Sequence, residues 1–295
     1  MDNETIEKYR KAGKIAAQAL EYAVSLVRPG ISLAEVCYKT DEKIKELGAN
    51  PAFPTQISLN DTAAHFCPEN DDIKFTDQVV SIDVGVHFDG FIGDNAMTID
   101  LSGKNIELVK ASREALDNAI KAIKPGIKLS EIGKTIHETI TKYGFSPVRN
   151  LSGHGLGEYD IHTKPTIPNY ENGDETILKE GDIIAIEPFA SKGSGIVYES
   201  SNPTIFQIIE PKPVRNAITR QAMKEIVSYN GLPFSKSWLN KKLGEAKANF
   251  AFRELRLLGI LREYPPLIDQ AHGLVSQAEH TVLVTKDGCE VLTKN

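Results

Sequence analysis

Residues 19–51 recur without a gap as residues 115–147, an offset of 96 positions. Ala19-Leu20, Ala23, Pro29-Gly30-Ile31, Leu33, Glu35, Glu42, Gly48 and Pro51 return as Ala115-Leu116, Ala119, Pro125-Gly126-Ile127, Leu129, Glu131, Glu138, Gly144 and Pro147. Both copies read as an amphipathic helix, a Pro-Gly turn and a second helix closed by a glycine. Ser32 opens the second helix in the first copy, and Lys128 to Ser130 open it in the other. A segment rich in Val, Ile and Phe follows each time, Gln78 to Val86 and Gly181 to Phe189, and reads as a strand. This duplication implies an α/β (α+β) fold of two pseudo-symmetric halves, about residues 1–110 and 111–295, whose strands share one sheet backed by helices. Polar residues from both halves then meet at the pseudo-axis, a usual place for a site.

The first half supplies two aspartates there. In Val80-Ser-Ile-Asp-Val-Gly-Val-His-Phe-Asp-Gly-Phe-Ile-Gly-Asp-Asn-Ala96, Asp89-Gly90 reads as a two-residue hairpin turn between apolar arms. Phe88 then faces Phe91, Gly85 faces Asp94, and Asp83 shares a face with Asp94 as a diagonal neighbour about 7 Å away at the backbone. Two carboxylates so close repel. They are compatible with pairing to cations, with sharing a proton, or with holding metal. From the second half come His154 in Asn150-Leu-Ser-Gly-His-Gly-Leu156, Glu187 in Ala185-Ile-Glu-Pro-Phe189 and Glu279 in Gln277-Ala-Glu-His-Thr281.

An oxygen-rich set with one imidazole suits Mn, Fe, Co or Zn, and not copper. Four carboxylates are too many for one small ion, whereas two ions about 3.5 to 4 Å apart would neutralise them. Surface acids are the bland reading, and it is weak for Asp83 and Glu187, which sit inside apolar runs where an unpaired carboxylate is expensive. His87 shares the Asp83 face but is about 13 Å along the strand, beyond reach of an ion bound by Asp83. His280 follows Glu279 directly and points to the opposite face. The three cysteines, Cys37, Cys67 and Cys289, are odd in number and widely spaced, which argues against a disulfide framework or a Cys-type zinc site.

The chain has no apolar N-terminal leader and no run approaching the roughly 20 apolar residues of a membrane span, so a cytoplasmic location is expected. Its net charge of −6 is uneven. Residues 211–270 hold eleven Lys/Arg against five Asp/Glu, a local +6 that leaves −12 on the remainder. Between Asn216 and Asp269 the strand pattern gives way to helices, Ala217 to Tyr229, Lys236 to Leu243 with Ser235 as N-cap, and Ala246 to Leu258. A short hairpin over Leu257 to Pro266 is expected after them, giving a winged-helix-like insertion. Its basic face is either a solvated helix surface or a contact for nucleic acid or a ribosome.

Taken together, Pro51-Ala-Phe-Pro54, Ser58-Leu-Asn60, Ala63-Ala-His65, Ile82-Asp-Val-Gly85, Gly93-Asp-Asn-Ala96, Leu151-Ser-Gly-His-Gly155, Ile161-His162, Ile186-Glu-Pro-Phe-Ala190 and Glu279-His-Thr281 resemble the type II methionine aminopeptidases of archaeal style, over nearly the whole chain. The resemblance implies the pita-bread fold, with a helical insertion before the last ligand. It implies a dinuclear centre of two divalent ions (Co, Mn, Fe or Zn) held by Asp83, Asp94, His154, Glu187 and Glu279, with Asp94 and Glu279 bridging. Glu187 would also move the proton. His65 and His162 would bind the peptide carbonyl and its oxyanion, and Phe53 and Ile161 would line the pocket for the methionine side chain. The expected substrates are peptides and nascent chains with N-terminal methionine, cleaved by a monomer with transient ribosome contact through the basic insertion and none with membrane.

Departures from that family also count. The long polybasic and acidic extension of the eukaryotic enzymes does not precede Met1, so ribosome association conferred by it is not expected. Cys67 stands two residues after His65, where a threonine is expected, and a free thiol there implies sensitivity to oxidation if it borders the site. A prolidase or aminopeptidase P shares the fold and similar ligands but is disfavoured by the insertion and by the Ala63-Ala-His65 context. A non-catalytic nucleic-acid or ribosome-binding relative is disfavoured because all five ligands are present.

Overall fold

The computed structural model describes residues 1–70, 72–200, 202–210 and 212–294. The recurrence is carried by four helices: α1 (Asn3–Leu26), α2 (Leu33–Glu46), α3 (Ile106–Ala122) and α4 (Leu129–Lys142). The ends of α1 and α3, and both ends of α2 and α4, are 96 residues apart. In the turn between paired helices, Gly30 donates to the Phe75 carbonyl and Gly126 to the Leu178 carbonyl. Starting signals differ. Ser32 caps α2 through a bond from Glu35 N (3.0 Å), whereas α4 has no side-chain cap and its first amides, Leu129 and Ser130, donate to the carbonyls of Thr176 and Asp174.

The large sheet is nine-stranded. Its main path runs Asn50–Pro51, Val79–Phe88, Phe91–Asp100, Glu279–Val284, Ile183–Ile186, Ser152–Gly157, Asp160–Pro168, with Gln56–Leu59 added on Val79–Phe88 and Cys289–Val291 on Glu279–Val284. Strands of the first half therefore meet those of the second along one seam, where Glu279 pairs with Ala96 and His280 with Asn95. One apolar core joins α1 and α2 to Val80, Ile82, Val84 and Val86, and another joins α3 and α4 to Ile184, Ile186, Val282 and Val284. Both lie on the helical side, so the other face is left for a site.

Two strand expectations are corrected. Gly181 to Phe189 is not one strand: Ile183–Ile186 belongs to the large sheet, and Phe189–Ser191 to a three-stranded sheet with Val275–Gln277 and Ser146–Pro147. Pro188, which has no N–H, stands at the break. The chain makes the same change at Ala278, so Glu187 and Glu279 both sit where it passes between the two sheets. Ala278 N bonds to the Pro188 carbonyl (3.2 Å) and holds the two crossing points together.

The insertion holds three further helices, α5 (Ala217–Val227), α6 (Lys236–Leu243) and α7 (Glu245–Leu257), around a core that includes Phe206, Phe234 and Phe252. Ser235 is the N-cap of α6, but its hydroxyl bonds to that of Ser237 (2.7 Å) and to no helix amide. No hairpin forms over Leu257 to Pro266. Leu261–Tyr264 instead pairs with Ile205–Ile208, before the helices, which also pairs with Phe234–Ser235. Pro265 and Pro266 lack the amides a returning arm needs. Pro211, the first residue of the basic stretch, lies outside the described residues.

Beyond the prolines, Leu267–Asp269 joins Val197–Glu199 and Thr62–Ala64. Asp269 is fully buried and accepts from Ser191 Oγ (2.9 Å) and from the amides of Ser194, Gly195, Ala271 and Gly273. Burial alone would raise its carboxyl, but these donors hold it below the ordinary 3.8. Asp269→Ala is expected to cost about 3 kcal/mol or more, since several buried donors lose a charged acceptor. Because the folded-state pKa is depressed, the Asp269 contribution is present above the unfolded value and is lost as pH falls through the folded one. Equal loss of stability in the variant and parent between pH 6 and pH 2.5 in urea melts would contradict this.

Candidate metal centre

The hairpin forms in the expected register. Gly85 pairs with Asp94 and Asp83 with Ala96, around a turn in which Asp89 and Gly90 both have positive φ, 51° and 91°. Gly85 has a second consequence. A Cβ there would lie 2.1 Å from the Phe53 ring, so only glycine lets Phe53 lie across the strand beside the two aspartates. Across the seam, Thr281 Oγ1 accepts from Asp94 N and donates to the Asp94 carbonyl, both at 2.8 Å, clamping the strand that carries Asp94 to the one that begins at Glu279.

One cavity of about 250 Å³ brings the remaining residues to this point. Asp83, Asp94, His154, Glu187 and Glu279 line it, and so do His65, His162, Phe53 and Ile161. Ligand atoms of Asp94, His154 and Glu279 lie within 4.8 Å of one another, and His154 Nε2 is 3.6 Å from Glu187 Oε1. The His154 and His162 rings meet edge to face at 4.6 Å. Phe53 and Ile161 belong to one buried apolar cluster with Leu156 and Leu232. His87 lies elsewhere, its Nδ1 accepting from Gly90 N and its ring against Tyr159, and His280 is turned away with Nδ1 on Thr293.

Charge makes this cavity unusual: among the described residues four carboxylates line it, and no lysine or arginine does. Burial raises Asp83 to about 7, although bonds from Gln277 and Asp94 pull it the other way. Desolvation, followed by repulsion from its neighbours, lifts Asp94 well above the carboxylate range, and Glu187 and Glu279 likewise. Asp83 Oδ1 and Asp94 Oδ1 are buried with no hydrogen-bond donor. Buried, donor-free carboxylate oxygens beside a neutral imidazole fit divalent cations, which supply the missing positive charge. Burial, with His162 next in effect, lowers His154 to about 3 and keeps it neutral. Its Nδ1 lies 3.2 Å from the Gly155 carbonyl, the contact of an Nδ1–H tautomer, which turns the Nε2 lone pair toward Glu187.

The other two histidines are also held neutral. Burial lowers His65 to about 4, with His162 adding to it, and burial lowers His162 too, against the opposing charge of Asp160. A neutral imidazole retains one N–H, so each can donate one bond to an oxygen in the cavity. His65 has positive φ (65°), and its amide donates to Gln56 Oε1 at 2.7 Å, which fixes the turn that aims the ring.

Sequence reasoning missed three residues here. Tyr264, from the strand that closes the insertion, lines the cavity with ring centroids 5.6 Å from His65 and 6.4 Å from His162. Gln277 Nε2 donates to Glu279 Oε2 (3.4 Å), and Gln56 holds His65. Nothing local marks them, although Gln277 stands two residues before Glu279. Cys67 does not line the cavity; it is buried, in contact with Cys37.

Comparison with known proteins identifies the family of the chain. The profile of metallopeptidase family M24 matches residues 7–286. The chain is 45% identical to a methionine aminopeptidase of Archaeoglobus fulgidus over the full length of both. It is 44% identical to one from Thermococcus onnurineus, covering 96% of this chain and 97% of the other. Among solved structures, a methionine aminopeptidase of Thermotoga maritima superposes with a TM-score of 0.74 at 28% identity, covering 100% of this chain and 98% of the other.

Proposed function

The chain belongs to metallopeptidase family M24, and from that premise we propose that it is a type II methionine aminopeptidase, removing N-terminal methionine from peptides and nascent proteins. The observation that carries this reading is a cavity lined, among the described residues, by four acids and a neutral imidazole with no lysine or arginine, and walled by Phe53 and Ile161. Asp83, Asp94, His154, Glu187 and Glu279 would together hold two divalent ions. Mn, Fe, Co and Zn suit this donor set. When bound, such ions neutralise the acids and lower the pKa of the attacking water.

The chain's own groups divide the remaining work. Phe53 and Ile161 bury the methionine side chain, whose flexible thioether fills such a space well. His162 and His65 donate to the scissile carbonyl oxygen as it gains charge. Glu187 accepts the proton of the attacking water and returns it to the leaving amine. The insertion adds a surface on which Arg215, Lys224, Lys247 and Arg253 stand exposed, and we assign it transient contact with the ribosome. Among the described residues no helix is long and apolar enough to cross a membrane. We assign the protein action on nascent chains in the cytoplasm, as a monomer.

Methionine release from a Met-Ala peptide is expected to stop on chelation and to return with Mn, Fe or Co. No release with any metal would refute the reading. Because Asp83 is raised to about 7, loading must displace protons. Metal binding should therefore weaken as pH falls below about 7. The chelated protein should show the opposite trend. The folded state binds more protons than the unfolded one between the two pKa values, so its stability falls as pH rises. Melting of chelated protein at pH 6 and pH 8 checks the sign, and added metal should remove the difference.

A further inference from the structure

A groove of about 1000 Å³ separates α2 from the insertion, and its wall shares Pro233 with the catalytic cavity. A buried carboxylate spans this junction. Asp41 of α2 is 7% exposed, and its two oxygens are divided between two partners. Oδ2 accepts from Trp238 Nε1 of α6 at 2.8 Å. Oδ1 accepts from Thr55, from the hydroxyl at 2.8 Å and the amide at 3.3 Å.

Those two partners lead to two separate segments at the apolar pocket. Thr55 follows Phe53 by two residues and precedes Gln56, whose side chain holds His65. Trp238 follows Pro233 by five residues, and Leu232 packs in the same cluster as Phe53 and Ile161. Asp41 thus ties the segment that carries Phe53 to the helix that follows Leu232 and Pro233. The exposed contacts between the insertion and the rest, Lys236 with Glu69 and Lys241 with Glu42, are surface ion pairs of small effect.

A buried acid is a costly way to hold two walls. Burial raises Asp41 to about 6, against the bonds from Thr55 and Trp238, and Lys45 one turn along the helix also favours its charge. Cys37, one turn back, contributes no cation. Burying an ion without a close cationic partner does not favour stability, so its geometric effect is the more telling property.

We propose that Asp41 is a positioning residue for the methionine pocket, locking Phe53 to the insertion by holding Thr55 and Trp238 at once. Through it, the insertion sets how tightly the first side chain is gripped. This rests on the aminopeptidase reading given above.

Asp41→Asn keeps the shape but leaves one acceptor oxygen for two sets of donors. In the full-length, metal-loaded protein, Asp41→Asn and Trp238→Phe are each expected to raise KM for a Met-Ala peptide about fivefold to tenfold, the size of one buried hydrogen bond, with kcat within about twofold. The double variant should be no worse than the weaker single one, because both remove the same link. Trp238 is the sole tryptophan, so its emission reports on the link directly. Thr55→Val should shift that emission, although Thr55 makes no bond to the indole. Additive effects, a fall in kcat at unchanged KM, or unchanged emission in Thr55→Val would overturn the proposal. If the parent protein released no methionine, the aminopeptidase reading would fall, and the emission of Thr55→Val would still decide whether the link exists.

Discussion

His154→Ala is expected to purify with one equivalent of divalent metal in place of two, and to release methionine more than about 100-fold slower than the parent. Loss of an outer-shell partner of a ligand already costs about 10- to 100-fold, and here the ligand itself is removed. No side chain can replace it. Glu187 at 3.6 Å is already in the proposed ligand set, and His162, ring to ring at 4.6 Å, is mounted on the neighbouring strand. Alanine also relieves nothing, because the imidazole it removes is neutral. Metal analysis after dialysis checks the first half of the expectation. Two tightly held equivalents in the variant would remove His154 from the ligand set.

His162→Ala should behave differently. Metal content is expected to stay at two equivalents while kcat falls about 100- to 1000-fold, the usual loss when one donor to a developing oxyanion is deleted. His162 is exposed, its ring lies 6.4 Å from that of Tyr264, and its lowered pKa favours the neutral donor. KM should move little if the bond strengthens only as the carbonyl oxygen gains charge. Loss of one metal equivalent in His162→Ala would make it a ligand. An unchanged kcat would leave His65 as the sole imidazole donor.

Much of this is legible in the sequence. The repeat predicted paired helices, and α2 and α4 start and stop 96 residues apart. The Asp89-Gly90 turn predicted that Gly85 faces Asp94, and it does. Less legible was whatever depends on a chain break at proline. Pro188 divides a segment that reads as one strand, and Pro265-Pro266 turns an apparent hairpin into a single strand paired with Ile205–Ile208. Hydrophobic periodicity does not register a missing N–H; the sheet does.

By itself, the sequence determined the parts with local rules: helices with their turns, the hairpin register that sets Asp83 beside Asp94, and the residue types of a divalent-metal site. Those follow from periods of 3.6 and 2 and from turn chemistry, which act over a few residues. Only the tertiary structure decided which distant parts meet. It set the seam where Thr281 clamps Asp94 across 187 positions and the approach of Tyr264 to two histidines. It also set the sharing of Asp41 between Thr55 and a tryptophan 197 positions away. Contacts at such separations carry no periodic signal, because they are fixed by how complete faces pack and by which buried polar atoms then find partners.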